Sequence, residues 1–482
     1  MADAPENEQR EEKEGGLDRR QVIKYGGTGA LGAGLAGCQT QENPLPGSEI
    51  RAGEGPGLGE GFGDDNVEGP LKGEVLKIGV LAPMNLPLGQ SIWDAAQMAR
   101  DSLNQNGGVL GAKVEVELGD TEVSPGKAQS EHRRLTSREG CHMTTGIFLG
   151  SALLQTMPSI ANQEKIHVTT ASADPRIGKL VSRSQAYQSG ADPAQEYEKY
   201  KYHFRAGPIH LLDLADGMLE FIEDKKEDYG WDRVAVLTEN LGEFTPYHDR
   251  LIATISDIVD VPITQRPGGV SDWSPLFNEI ENAGCDAAII GMALGGTTAV
   301  NQWAQQQRQF EFGGIHVFAQ SFGYWESTDG NVEHVFTMNA MTPQTENTPQ
   351  TQPFVQSYID RWDRVPIYSG ALTWDALTTI NQLFELMNQD GAIDDTIPHA
   401  DDIIPYLEEM RATNLTILEE SQFTPADAEY AHEPQWTSIA ETGVPVFQQW
   451  QQDPDVRENY GTMHSMYPPQ NKTADKTVPE WM

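Results

Sequence analysis

The chain has 482 residues, 38% of them hydrophobic, enough for two lobes with large cores. Its 33 Lys+Arg stand against 72 Asp+Glu, a formal charge of −39, which argues against nucleic acid as a partner. Such self-repulsion is tolerable where molar salt cuts the screening length to about 3 Å, so the charge points to a halophilic, archaeal source.

The chain starts with Asp18-Arg19-Arg20-Gln21-Val22-Ile23-Lys24, a weakly apolar Gly/Ala run over 25–34, and Leu35-Ala36-Gly37-Cys38. The pair Arg19 and Arg20 ahead of a short apolar stretch marks twin-arginine export, and the small-residue site predicts cleavage and lipid attachment at Cys38. The apolar run is far shorter than the ~20 residues that span a bilayer. Within it, Gly27-Thr28-Gly29-Ala30-Leu31-Gly32 matches a dinucleotide fingerprint in letters only. Arg, Gln and Lys precede it where that motif needs a buried strand. Residues 1–38 are therefore expected to be a signal that places the protein on the outer face of the cell membrane. Residues 39–73, rich in Gly, Pro, Glu and Asp, read as a disordered tether. About 35 such residues reach roughly 30 Å.

Order is expected from the apolar run 75–81, a buried parallel strand, followed by a helix carrying Ile92, Trp93, Ala96, Met98, Ala99 and Leu103. A strand at 113–118, a helix over 125–137, a strand at 143–149, a helix near 154–164 and a strand at 166–170 continue the alternation. This βαβα order predicts a parallel sheet with helices on both faces. The pattern restarts with a helix around 211–225 and a strand at 233–237. It runs on through a helix near 247–259, an extended 261–264, a helix over 273–283, a strand at 287–292, a helix at 297–307 and a strand at 315–318. Two later helices, 353–362 and 370–387, are expected to return to the first lobe. The first lobe is thus placed at 74–205 plus about 341–435. The second takes 206–340 plus about 436–482 with the C-terminal tail.

Two open sheets joined by several crossings leave a cleft, and such sheets bind ligands beyond the carboxyl ends of their strands. The loops nominated by that rule are 83–90, 150–155, 170–175, 239–245, 293–298 and 319–325. Cys141 and Cys285 each follow a helix-ending glycine and open a buried strand, so two buried free thiols are expected rather than a bridge. The 11 histidines are spread singly, without H-E-x-x-H or a Cys/His cluster, so neither a metal nor a cofactor is expected. No Walker loop or Gly-x-Ser-x-Gly elbow stands in a strand-turn-helix setting. Asn414-Leu415-Thr416 and Asn471-Lys472-Thr473 have the form of glycosylation acceptors.

Leu-Lys-Ile-Gly-Val-Leu-Ala-Pro at 76–83, Asn-Gly-Gly-Val-Leu-Gly at 106–111 and Thr-Thr-Ala-Ser-Ala-Asp-Pro at 169–175 carry a resemblance. It extends through Phe204-Arg205, residues 233–237, 284–290 and Trp374-Asp375-Ala376. The chain resembles the leucine/isoleucine/valine-binding proteins, the type I extracytoplasmic solute receptors of ABC importers. The resemblance implies an α/β type I periplasmic-binding-protein fold, two doubly wound parallel-sheet lobes joined by three crossings with an interlobe cleft. It also implies a small-molecule ligand, ABC permease and ATPase subunits as partners, and no catalysis. A ligand-sensing ectodomain coupled to a signalling partner is the alternative.

Carried over by position, Ser151, Ser172 and Ala173, with Ala171 beside them, would hold a ligand carboxylate, short residues at helix starts offering free N–H donors. Ser151 and Ser172 as mere helix caps is the other reading. The family's acidic partner for a ligand ammonium has no counterpart in Ala319-Gln320-Ser321-Phe322-Gly323-Tyr324-Trp325, although Ser321 holds its place. Either Glu326 reaches in or the ligand lacks an α-amino group. The aromatic position after the strand at 235–237 falls on Phe244 or is replaced by Leu241. Phe322, Tyr324 and Trp325 would wall an apolar ligand or belong to the core. Leu294 and Gly295 fit a backbone contact from the second lobe.

Overall fold

A computed structural model describes residues 68–452 and 461–482. The expected signal, Cys38 and most of the tether lie outside the described residues. Ordered chain begins earlier than the apolar run suggested. Leu71 is fully buried and its N–H donates to Leu110 O at 3.0 Å, so the end of the expected tether is clamped onto the first lobe.

Strands β1 (Val75–Ala82), β2 (Lys113–Asp120), β3 (Met143–Gly146), β4 (Ile166–Thr169) and β5 (His203–Arg205) form one sheet in the order β2-β1-β3-β4-β5. Every pairing in it is parallel. β1 is buried from Leu76 to Ala82 apart from Lys77, as a strand covered by helices on both faces must be. The expected strand at 143–149 stops at Gly146, whose φ of 102° and that of Ile147, 59°, turn the chain toward the helix Gly150–Gln163.

The second sheet has the order β14-β13-β10-β9-β8-β6-β7, built from β6 (Arg233–Thr238), β7 (Asp260–Gln265), β8 (Ala287–Met292), β9 (Glu311–His316), β10 (Phe336–Asn339), β13 (Val446–Gln452) and β14 (Gly461–Tyr467). Pairings from β7 through β10 are parallel, and β13 and β14 add antiparallel strands at one side. β9 is a correction: the expected strand at 315–318 is shifted toward the N-terminus, and Phe318–Gln320 is a helical turn. Gly313 and Gly314 lie inside the strand, where a Cβ on Gly313 would stand 2.4 Å from the Phe336 ring. They are what lets β8, β9 and β10 close up.

The helix Tyr368–Gln389 comes back to the first lobe and lies along the helix Pro87–Gln105. Contact is close at Gly370, where a Cβ would meet Ser91 Oγ at 2.3 Å; that Oγ accepts from Ile367 N–H at 3.0 Å. The hairpin β11 (Arg411–Thr413) and β12 (Glu420–Gln422) follows. Three crossings join the lobes: the segments after β5, after β10, and before β13. Cys141 and Cys285 are both free and buried, with burial pushing their thiols up to about 12 and about 11. Asn471 is also buried, its Nδ2 donating to Gly443 O at 2.9 Å, whereas Asn414 is exposed.

Candidate functional site

The loop beyond β4 is anchored by one buried cation. Arg205, at the end of β5, donates to Ser172 O and, at 2.9 Å, to Asp174 O, and its other face is paired with Glu433. Two carbonyls of loop 170–174 are thereby tied to the end of β5. Ser172 N–H is spent on Ile147 O at 3.1 Å, tying this loop to the one before the helix Gly150–Gln163. Asp174 ends the loop as the N-cap of the helix Pro175–Leu180, accepting Arg176 N–H at 3.0 Å while the Arg176 guanidinium grips its carboxylate at 2.6 Å.

Between the lobes lies a cavity of about 150 Å³. Its walls come from the first lobe through Phe148, Ala171, Ala173, Tyr368 and Leu372, and from the second through Glu243, Phe244, Gln320, Met338 and Asn339. Gly207 and Pro208, Ala340, and Val444 and Pro445 bring all three crossings into it. It continues beneath the helix Tyr368–Gln389 among Leu383, Leu407 and Leu415. The lining is mainly apolar, as in a site that binds by desolvation and orients by a few polar groups.

Three of those polar groups are set by their neighbours. Glu243, the residue before the helix Phe244–Thr254, is buried on the wall. Burial pushes its carboxyl up to about 7 and the charge of Asp174 adds to this; the N–H groups of Gly150 and Ser151 and the Arg176 guanidinium act in the opposite sense. Asp375 accepts from Thr416 N–H at 2.9 Å and from Thr416 Oγ1 at 2.8 Å, yet burial lifts it too to about 7. Gln320 donates from Nε2 to Met338 O at 2.6 Å, and its buried Oε1 has no partner.

Of the residues nominated from sequence, Ala171, Ala173 and Phe244 meet on the cavity wall. Ser172 does not line it; its buried hydroxyl has no partner. Ser151 is exposed as the second residue of its helix, outside the wall. Leu294 and Gly295 also lie outside, the former 36% exposed, and the N–H groups of Ala293 and Leu294 are taken by Glu239 at 2.8 and 2.9 Å. Ser321 is buried beside the helical turn Phe318–Gln320, which aims Gln320, not Ser321, into the cavity. Tyr324 bonds His316 Nε2 at 2.9 Å and Thr297 at 3.0 Å, and the Trp325 ring packs at a tilt against Trp450, centroids 6.0 Å apart. Both belong to the second lobe's core.

Sequence reasoning missed Glu243, Gln320, Asn339, Tyr368 and Asp375. Glu243 and Gln320 stand in nominated loops, so their positions were signalled though not their roles. Tyr368, which donates to Ala171 O at 3.3 Å, had no local signal.

Comparison with known proteins gives a consistent picture. A Leu/Ile/Val-binding protein, BraC3, of Rhizobium johnstonii is 24% identical over 230 residues, which cover 46% of this chain and 56% of that protein. The match thus spans little more than half of that relative. A putative branched-chain amino acid ABC transporter protein from Silicibacter pomeroyi superposes with TM-score 0.67 at 18% identity, covering 85% of this chain and 100% of that one. The leucine-binding protein LivK of Thermotoga maritima gives 0.61 at 18%, covering 81% and 98%. A solute-binding protein from R. palustris in complex with 4-hydroxybenzoate gives 0.63 at 12%, covering 85% and 99%. These structures share the two-lobed fold, and the family model described as periplasmic binding protein matches residues 75–443, from the first strand of the first lobe to the last crossing. With the first lobe's sheet and the five parallel strands of the second inside that match, the chain belongs to the periplasmic binding protein family.

Proposed function

We propose that the protein is the substrate-binding subunit of an ABC importer, which captures a small solute between its lobes and delivers it to a permease. The observation that carries this reading is that one cavity is walled by both lobes, Ala173 facing it from the first and Phe244 from the second. A solute touching both walls stabilises the closed arrangement over an open one by its differential contacts. The three crossings are the hinge, and each contributes to the wall, so closure and occupancy are coupled. Relatives support a small solute: one is named for Leu/Ile/Val binding, another holds 4-hydroxybenzoate.

Export through Arg19 and Arg20 and lipid attachment at Cys38 would keep the receptor beside its permease, with residues 39–67 as spacer. The acidic composition suits an external, saline medium.

The test is a thermal-shift screen of the full chain in molar KCl across amino acids, amides and aromatic acids, followed by small-angle X-ray scattering with any hit. A bound solute raises Tm by mass action and lowers the radius of gyration by closing the lobes. Cells lacking the gene should lose uptake of the same solute. A hit that leaves both scattering and uptake unchanged would remove the transport reading.

A further inference from the structure

The charged side chains on the cavity wall are of one sign. Among the described residues that line it there is no Lys, Arg or His, while three are acids: Asp174, Glu243 and Asp375. An anionic solute would enter facing carboxyl groups with no cationic side chain on the wall, and a buried anion without a counter-charge is strongly disfavoured.

Helix starts usually supply donors to an anion, but here that position is occupied by the chain's own acids. Asp174 packs against Gly150, the first residue of the helix Gly150–Gln163, so closely that a Cβ there would stand 2.3 Å from its Oδ2. Glu243 reaches the same place from the second lobe, with the Gly150 and Ser151 N–H groups acting on its carboxyl.

The cavity wall also offers an acceptor. Gln320 is 6% exposed and on the wall; its amide is oriented by Nε2 donating to Met338 O, since the flipped amide would set two oxygens against each other. Oε1 is left buried without a partner, a position that favours a ligand N–H or O–H. The acids on the wall are not free to hold a cation. Asp174 is ion-paired with Arg176, Asp375 accepts from Thr416 N–H and Oγ1, and Glu243 is engaged by the Gly150 and Ser151 N–H groups.

We infer that the solute is uncharged: a compact, mainly apolar molecule that donates a hydrogen bond, from an amide or hydroxyl, to Gln320 Oε1. A cavity of about 150 Å³ suits a body about the size of benzene or a short branched chain. The inference rests on the reading of the cleft as a solute site and narrows it to a chemical class.

Matched probes test it. Calorimetric titration of the full chain in molar KCl would compare leucine with 4-methylpentanamide, 4-hydroxybenzoate with 4-hydroxybenzamide, and 3-methylbutylamine as the cation. Each amide should bind at least tenfold more tightly than its charged counterpart. Gln320→Leu should weaken the amides about tenfold, and the isosteric Gln320→Glu should do the same while improving the amine, both with unchanged circular dichroism. Leucine, 4-hydroxybenzoate or the amine binding as tightly as the amides overturns the inference and leaves a solute-binding cleft intact. Silence from all five probes counts against the cleft reading itself, and the inference falls with it.

Discussion

Arg205 in β5 donates through Nε and Nη2 to both carboxylate oxygens of Glu433, a residue 228 positions later, with both side chains almost wholly out of solvent. The same guanidinium carries loop 172–174, so one pair ties the returning segment near residue 433 to the cavity wall. Removing either partner leaves a buried charge alone, at a cost of about 3–5 kcal/mol. Arg205→Met and Glu433→Leu are each expected to lower the unfolding free energy by that order in denaturant titration. The double variant should recover much of it, because an apolar pair leaves no charge behind. Near-additive losses would show that the pair is not coupled.

Ser172 and Ala173 are neighbours with opposite fates. The Ser172 hydroxyl is buried without a partner, whereas Ala173 faces the cavity. Ser172→Ala removes an unsatisfied polar atom and is expected to leave stability equal or slightly raised, with ligand affinity unchanged. Ala173→Trp fills the cavity and should abolish the ligand-induced rise in Tm while the ligand-free chain keeps its circular dichroism. Loss of binding in Ser172→Ala would return that serine to the ligand.

This contrast shows what was legible in sequence. Buried strands such as β1 and β8 announce themselves by near-continuous apolar runs, interrupted in β1 only by Lys77 and a glycine, and the rule about strand ends finds the loops at 170–175, 239–245 and 319–325. Which side chain of a loop faces the cleft depends on turns that no periodicity encodes. The helical turn Phe318–Gln320 selects Gln320 and sends Tyr324 and Trp325 into the core. Gly313 and Gly314 broke the apolar pattern of β9 and displaced its expected position. Tyr368 meets Ala171 across 197 residues, a contact set by the chain's return to the first lobe and invisible to any local window.

Asp375 gives the fold a pH dependence with a definite sign. Burial raises its pKa from 3.8 to about 7, so between those values the unfolded chain has lost the proton that the native carboxyl retains. Stability from this group is complete below about pH 4, declines as pH rises toward 7, and is flat above. At about 1.4 kcal/mol per unit, the loss is on the order of a few kcal/mol. Asp375→Asn keeps an acceptor for Thr416 N–H without a charge. Its unfolding midpoint should fall less than that of the parent between pH 4.5 and 7.5, and parallel slopes would rule the group out.

The charge of −39 acts through particular faces, and the helix Leu211–Tyr229 is the clearest. It carries seven acids against Lys225 and Lys226, with Glu223 and Glu227 both exposed and one turn apart. Like charges at that spacing destabilise a helix by about 0.2–0.5 kcal/mol at low salt, and an acidic residue near the C-terminus opposes the helix dipole as well. Glu227→Lys converts the repulsion into a pair with the acid N-terminal to the base, the favourable order. The parent is expected to gain several degrees in Tm between 0.1 M and 2 M KCl, more than an equal osmolality of sucrose provides, because sucrose strengthens burial without screening charge. Glu227→Lys should be more stable than the parent at 0.1 M, and the difference should shrink toward zero at 2 M. A salt-independent gain would mean that the substitution acts through helix propensity or packing, and an unchanged parent Tm would mean that the acidic surface is not what salt relieves.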